Sequence, residues 1–149
     1  MPQSVVIARS AASTLGSFEG VCRSLALDSG VGCSVFHDQI QLCSADLSLK
    51  LVVSELGDRE LVAEDYSANN DLNEQFRVAA AGFRYYLVVF GDVEIARSFL
   101  CRVAGEAVGV GEAAWFDTDY GWVVSAEDFL DHLKQRSDWD WRTVGVGGV

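Results

Sequence analysis

Asp117 and Asp119 stand two residues apart in WFDTDYGWVVSAEDF (residues 115–129), among Trp115, Phe116, Tyr120 and Trp122. Three chemistries suit such a pair. Residues two apart on a strand face the same side, which permits a general acid and base. Glycosidases use two carboxylates about 5 to 9 Å apart in this way. With Asp128 the pair also takes positions one, three and twelve of a calcium loop. That loop requires glycine at position six, where this chain has Trp122, and its position five is Gly121, which offers no side-chain ligand. In the third reading Asp and Gly supply turn chemistry between aromatic flanks. The carboxylates are then displayed for recognition. This reading needs nothing that the sequence lacks.

Nucleophilic catalysis has little to stand on. His37 and His132 are the only histidines, His37 beside Asp38 at a strand start and His132 late in a helix. Neither lies in a recognisable nucleophile motif. GVGVGE, with its glycines, follows a helix instead of opening one and lacks the phosphate-loop lysine. The cysteines Cys22, Cys33, Cys43 and Cys101 have no zinc-type spacing. Their apolar neighbours predict buried, reduced thiols, with a Cys33–Cys43 disulfide across a short hairpin as the alternative. No metal or cofactor is expected. In SDWDWR (137–142), Trp139, Asp140, Trp141 and Arg142 admit two readings. Either the indoles fold back over the sheet edge, or they join a contact patch, where Trp, Tyr and Arg are enriched.

The charge balance narrows the partner. The chain of 149 residues has 11 Lys and Arg against 22 Asp and Glu, a net charge of −11. Such a chain repels phosphate backbones, so nucleic acid is not an expected partner. The acid is concentrated: 106–140 holds nine carboxylates against Lys134 and Arg136, and 55–74 holds seven against Arg59. That pattern fits a face that meets a basic protein. No apolar run has the length of a membrane span, and no signal-like segment opens the chain. A cytoplasmic protein without membrane contact is expected.

The elements that must position these residues follow from periodicity. SVVIARS (4–10) predicts a strand, and STLGSFEGVCRSLALD (13–28) a helix carrying Leu15, Phe18, Val21, Cys22 and Leu25. Phe36, Ile40 and Leu42, then Leu47, Leu49, Leu51 and Val53, predict two antiparallel strands. Residues 58–69 suggest a loop or frayed helix. Asp71 and Glu74 have capping-box spacing. They precede a helix with Leu72, Phe76, Ala79, Ala80 and Phe83 on one face, stopped by Gly82. FRYYLVVFGD predicts a buried strand. DVEIARSFLCRVAG predicts a helix capped by Asp92 and ended by Gly105. AAWFD and YGWVV predict two strands. Ser125 caps a last helix with Ala126, Phe129, Leu130 and Leu133 inward. The expected fold is α+β: one domain over 1–149, a mostly antiparallel sheet with helices packed on it as a sandwich, and a mobile tail at 143–149.

Residues 84–142 resemble small bacterial proteins encoded beside polymorphic toxins of the Rhs and type VI secretion kind. The resemblance rests on YYLVVFGDVEIA, WFDTDYGWVVSAEDFL and WDWR in this order. It implies an immunity protein, a non-enzymatic cytoplasmic domain used in bacterial competition. Such a protein binds a cognate toxin and occludes its active site. The candidate contact residues are Asp117, Asp119, Tyr120, Trp122, Asp128, Trp139, Asp140 and Trp141. The alternative is a small α+β enzyme or ligand-binding protein with a pocket near Cys33, His37 or Asp117.

Overall fold

Our computed structural model describes residues 3–118, 123–136 and 141. The first strand, β1 (Gln3–Ser10), buries Val5, Ile7 and Arg9 on one face and Ala8 on the other. A strand buried on both faces belongs in the middle of a sheet. β1 pairs over its whole length with β5 (Phe83–Phe90), from Gln3 opposite Phe90 to Ser10 opposite Phe83. Its other edge pairs with β6 (Trp115–Asp117), Ala8 opposite Trp115 and Val6 opposite Asp117. β2 (Gly32–Val35), β3 (Ile40–Cys43) and β4 (Leu49–Glu55) form a meander, and β4 joins β5. β7 (Val123–Ser125) closes the far edge beside β6. The sheet has seven strands in the order β2-β3-β4-β5-β1-β6-β7, and every neighbouring pair is antiparallel. β4, β5, β1 and β6 make the strand order of a split βαβ arrangement.

Helices cover both faces. α1 (Glu19–Ser29), α4 (Val93–Gly109) and α5 (Ala126–Gln135) lie on one face. They bury Cys22, Leu25, Phe99, Val103 and Phe129 against Ile7, Leu42, Val53 and Phe116. Arg102 of α4 ties this layer together, donating to Ser24 Oγ at 2.8 Å and Asp28 Oδ2 at 2.5 Å on α1. α2 (Arg59–Ala68) and the short α3 (Glu74–Ala79) cover part of the opposite face. There Ala63, Phe76 and Ala80 pack on Ala8, Phe83, Tyr85 and Trp115. No helix among the described residues is long and apolar enough to cross a membrane.

The expected α+β architecture is present, with several corrections. Residues 30–56 form three strands instead of two, and Phe36 belongs to the β2–β3 turn. Residues 59–68 form a regular helix. The cap of α3 is Asn73, whose side chain accepts from Phe76 N at 3.3 Å, in place of Asp71. Phe83 opens β5 and is not on the α3 face. α4 runs through Gly105 to Gly109, because Ala104 and Ala107 continue its buried stripe. The caps at Asp92 and Ser125 hold, accepting from Ile95 N at 3.0 Å and Asp128 N at 3.1 Å. The tail at 143–149 lies outside the described residues.

Candidate partner-binding surface

Asp117 closes β6 with its side chain on the α2 side of the sheet. Tyr66 near the end of α2 donates its hydroxyl to Asp117 Oδ2 at 2.6 Å. The Tyr66 ring is seated against Phe76 and Tyr85, with centroids 5.1 and 5.5 Å away. Asp117 is therefore a half-buried carboxylate that joins β6 to α2, rather than a free turn residue. Asp128 is exposed in the first turn of α5, where a negative side chain meets the positive end of the helix dipole. Trp141 is only 2 % exposed, and its ring packs on Phe90 at 5.7 Å and Phe129 at 6.4 Å. Its indole belongs to the core, as the fold-back reading expects, and is not offered to a partner. Asp119, Tyr120, Trp122, Trp139 and Asp140 lie outside the described residues.

The structure sets part of one acidic stretch beside part of the other. α2 and α3 supply exposed Glu60, Glu64, Asp65 and Glu74, with Asp58 and Asp71 in the adjoining loops. α3 meets the start of α5 across a half-open groove of about 460 Å³, lined by Asn73, Gln75, Trp115, Glu127 and Asp128 among others. The basic groups here face the backbone. Arg59 donates from Nε to Phe83 O at 2.7 Å, and Arg77 donates to Ser67 O at 3.1 and 3.2 Å. A second groove of about 430 Å³ between α2 and the α3 end includes both arginines.

The three residues named in the alternative reading lie at separate places in the fold. Cys33 on β2 and Asp117 on β6 are five strands apart in the sheet. At about 4.8 Å per strand that is roughly 24 Å. His37 is exposed in the β2–β3 turn. Cys33 is opposite Leu42 and Gly32 opposite Cys43, so the Cys33 and Cys43 side chains leave opposite faces of the sheet. All four thiols are free. Burial pushes Cys22 up to about 12 and raises Cys33 and Cys101 as well, which disfavours the nucleophilic thiolate. The calcium-loop reading meets a strand where the entering helix should be, since β6 leads into Asp117. Among the described residues no three His, Cys, Asp or Glu side chains form a metal-binding group.

Two features escaped the sequence reading. Arg9 is buried beneath α4 and makes a two-pronged ion pair with Glu112, 2.9 Å from Nε to Oε2 and 2.9 Å from Nη2 to Oε1. Its guanidinium also lies 5.0 Å from the Phe18 ring centre. Arg9 alternates correctly with Ile7, but nothing local points to Glu112, 103 residues away. The second is Tyr66, read only as part of a polar stretch. Searches against protein-family models, curated proteins and solved structures give no match to this chain.

Proposed function

We propose that this chain is an immunity protein that binds a cognate toxin domain in the cytoplasm and occludes its active site through an acidic side. One observation carries the reading: the groove that sets Asn73 and Gln75, beside exposed Glu74, across from Glu127 and Asp128 lets one partner meet part of both acidic stretches. Close charge pairs across a desolvated interface couple by roughly 1.5 to 7 kcal/mol, enough to fix partner choice.

The test is a calorimetric titration against the product of the neighbouring gene, where a toxin domain is the expected partner. Wild type binds, and the reversal Glu64→Lys with Asp65→Lys weakens binding ten-fold or more while the variant stays folded. Failure of the wild-type chain to bind overturns the proposal. Binding that ignores the reversal moves the contact away from α2.

A further inference from the structure

Among the described residues, β2 is an outer strand of the sheet, and little guards its free edge. A bare edge is a template for another strand, and proteins blunt it with charge, proline or a bulge. Residues 29–36 read SGVGCSVF, without Asp, Glu, Lys, Arg or Pro, in a chain of net charge −11. The β2–β3 register has no shift. Only the shortness of β2 protects it. The register also shows which backbone groups face outward. Phe36 N donates to Gln39 O at 2.8 Å, so Phe36, Ser34 and Gly32 bond inward to β3. The alternation of an antiparallel ladder then turns the N–H and C=O of Cys33 and Val35 outward.

A single chain does not account for the residues on this edge. Nothing within the chain requires glycine at Gly32: a Cβ there would meet nothing nearer than Cys43 O at 3.6 Å, an ordinary contact, and its φ is not left-handed. Glycine inside a strand marks a place where another group comes close. Phe36 is 49 % exposed and Val35 39 %. An antiparallel copy of the same strand accounts for all three. With Ser34 opposite Ser34 of the second copy, Cys33 falls opposite Val35, and the two exchange both backbone hydrogen bonds on either side of the axis. Phe36 then falls opposite Gly32, where its ring covers the neighbour's bare backbone. The adjacent registers fail. One needs Val31, whose N–H already donates to Ala26 O at 3.0 Å. The other needs His37, which lies in the β2–β3 turn.

We propose that the chain forms a two-fold dimer in which β2 pairs antiparallel with β2 of a second copy, joining the two sheets into one. A like-with-like contact of this kind closes at two copies. The paired strip is uncharged, so no like charges stand opposite each other. On the α1 flank near Cys33, Glu19 and Arg23 already pair with each other at 3.0 Å. One short strand from each copy makes a contact at the small end of specific interfaces, under about 1,200 Å². The dimer is therefore weak and forms as concentration rises. The groove of Asn73 and Asp128 is bordered by Trp115 of β6 and Ser125 of β7, at the other edge of the sheet. Dimerisation leaves it open and does not depend on the immunity reading.

The experiment follows wild type, Ser34→Lys and Ser34→Cys by sedimentation over a concentration series, with thermal melting alongside. Ser34 is exposed, so a lysine there meets only solvent in a single chain. In the dimer it meets its own copy, charge opposite charge. Wild type is expected to move from the mass of one chain to that of two as concentration rises. Ser34→Lys is expected to weaken this association ten-fold or more and to melt at the wild-type temperature when dilute. On oxidation with copper phenanthroline, Ser34→Cys is expected to become a covalent dimer and wild type is not, because position 34 meets itself while Cys33 meets Val35. A wild-type chain that stays monomeric to about 1 mM overturns the proposal. So does a dimer that Ser34→Lys leaves intact, or one in which Ser34→Cys cross-links no faster than wild type. Should Ser34→Lys melt early, the cross-linking comparison decides.

Discussion

The Arg9–Glu112 pair sets the cost of single substitutions at the end of the sheet where β1 finishes. Removing one member of a buried ion pair leaves the other uncompensated, at about 3 to 5 kcal/mol. Arg9→Met should therefore destabilise by about 3 kcal/mol, and adding Glu112→Gln should recover part of that loss; denaturant titrations of the three proteins check it. The hydrogen bonds from Arg9 hold the Glu112 carboxyl below its usual value of 4.5. A carboxyl with a depressed folded pKa adds stability that is complete above its unfolded value and is lost as pH falls through its folded one. Wild type should thus lose more stability than Glu112→Gln on going from pH 7 to pH 3. Asp117 matters to stability through its hydrogen bond. Its bond from Tyr66 makes Asp117→Ala cost about 1.5 kcal/mol, a fall of roughly 3 to 6 °C in melting temperature for a chain of this size. Asp117→Asn keeps an acceptor and should cost less. None of this was legible from residue types: Tyr66 and Asp117 are 51 residues apart, and only the pairing of β6 with β1 brings them together.

At the scale of elements, strong periodicity was readable and edges were not. α1 and α5 show in the sequence as buried helical stripes, while β1 shows as a β-branched segment and β5 as an apolar run without alternation. β2 was missed because an edge strand of Gly32, Cys33, Ser34 and Val35 buries too little to show alternation. α4 outran Gly105 because an exposed helical glycine costs only about 1 kcal/mol, less than the burial of Ala104 and Ala107 with their neighbours returns. The small α2–α3 layer depends on one side chain. Phe76 meets Tyr66 at 5.1 Å, Trp115 at 5.4 Å and Phe83 at 6.1 Å. Phe76→Ala should cost about 3 to 5 kcal/mol. It should also loosen the Tyr66–Asp117 link, so amide exchange should rise in α2 and α3 before it rises in α4. Equal protection loss in all three helices would show that the layers unfold together.

For the molecule as a whole, net charge acts through distance. Added salt shortens the reach of an acidic side to about 8 Å at physiological ionic strength. Under the proposed function, association with a basic toxin domain should therefore slow as salt rises, while dissociation changes little; stopped-flow rates between low and physiological salt check this. The placement of β1 has a different consequence, in time. This strand leaves the ribosome well before its partners β5 and β6, which begin at Phe83 and Trp115. At roughly 5 to 20 residues per second, the 107 residues between Ala8 and Trp115 take about 5 to 20 seconds to make. Until β5 is made that strand has two bare edges, and until β6 is made it keeps one. The sheet therefore closes only after β6 has been made, and a chain cut short before Trp115 would keep an open, apolar edge for other chains to find.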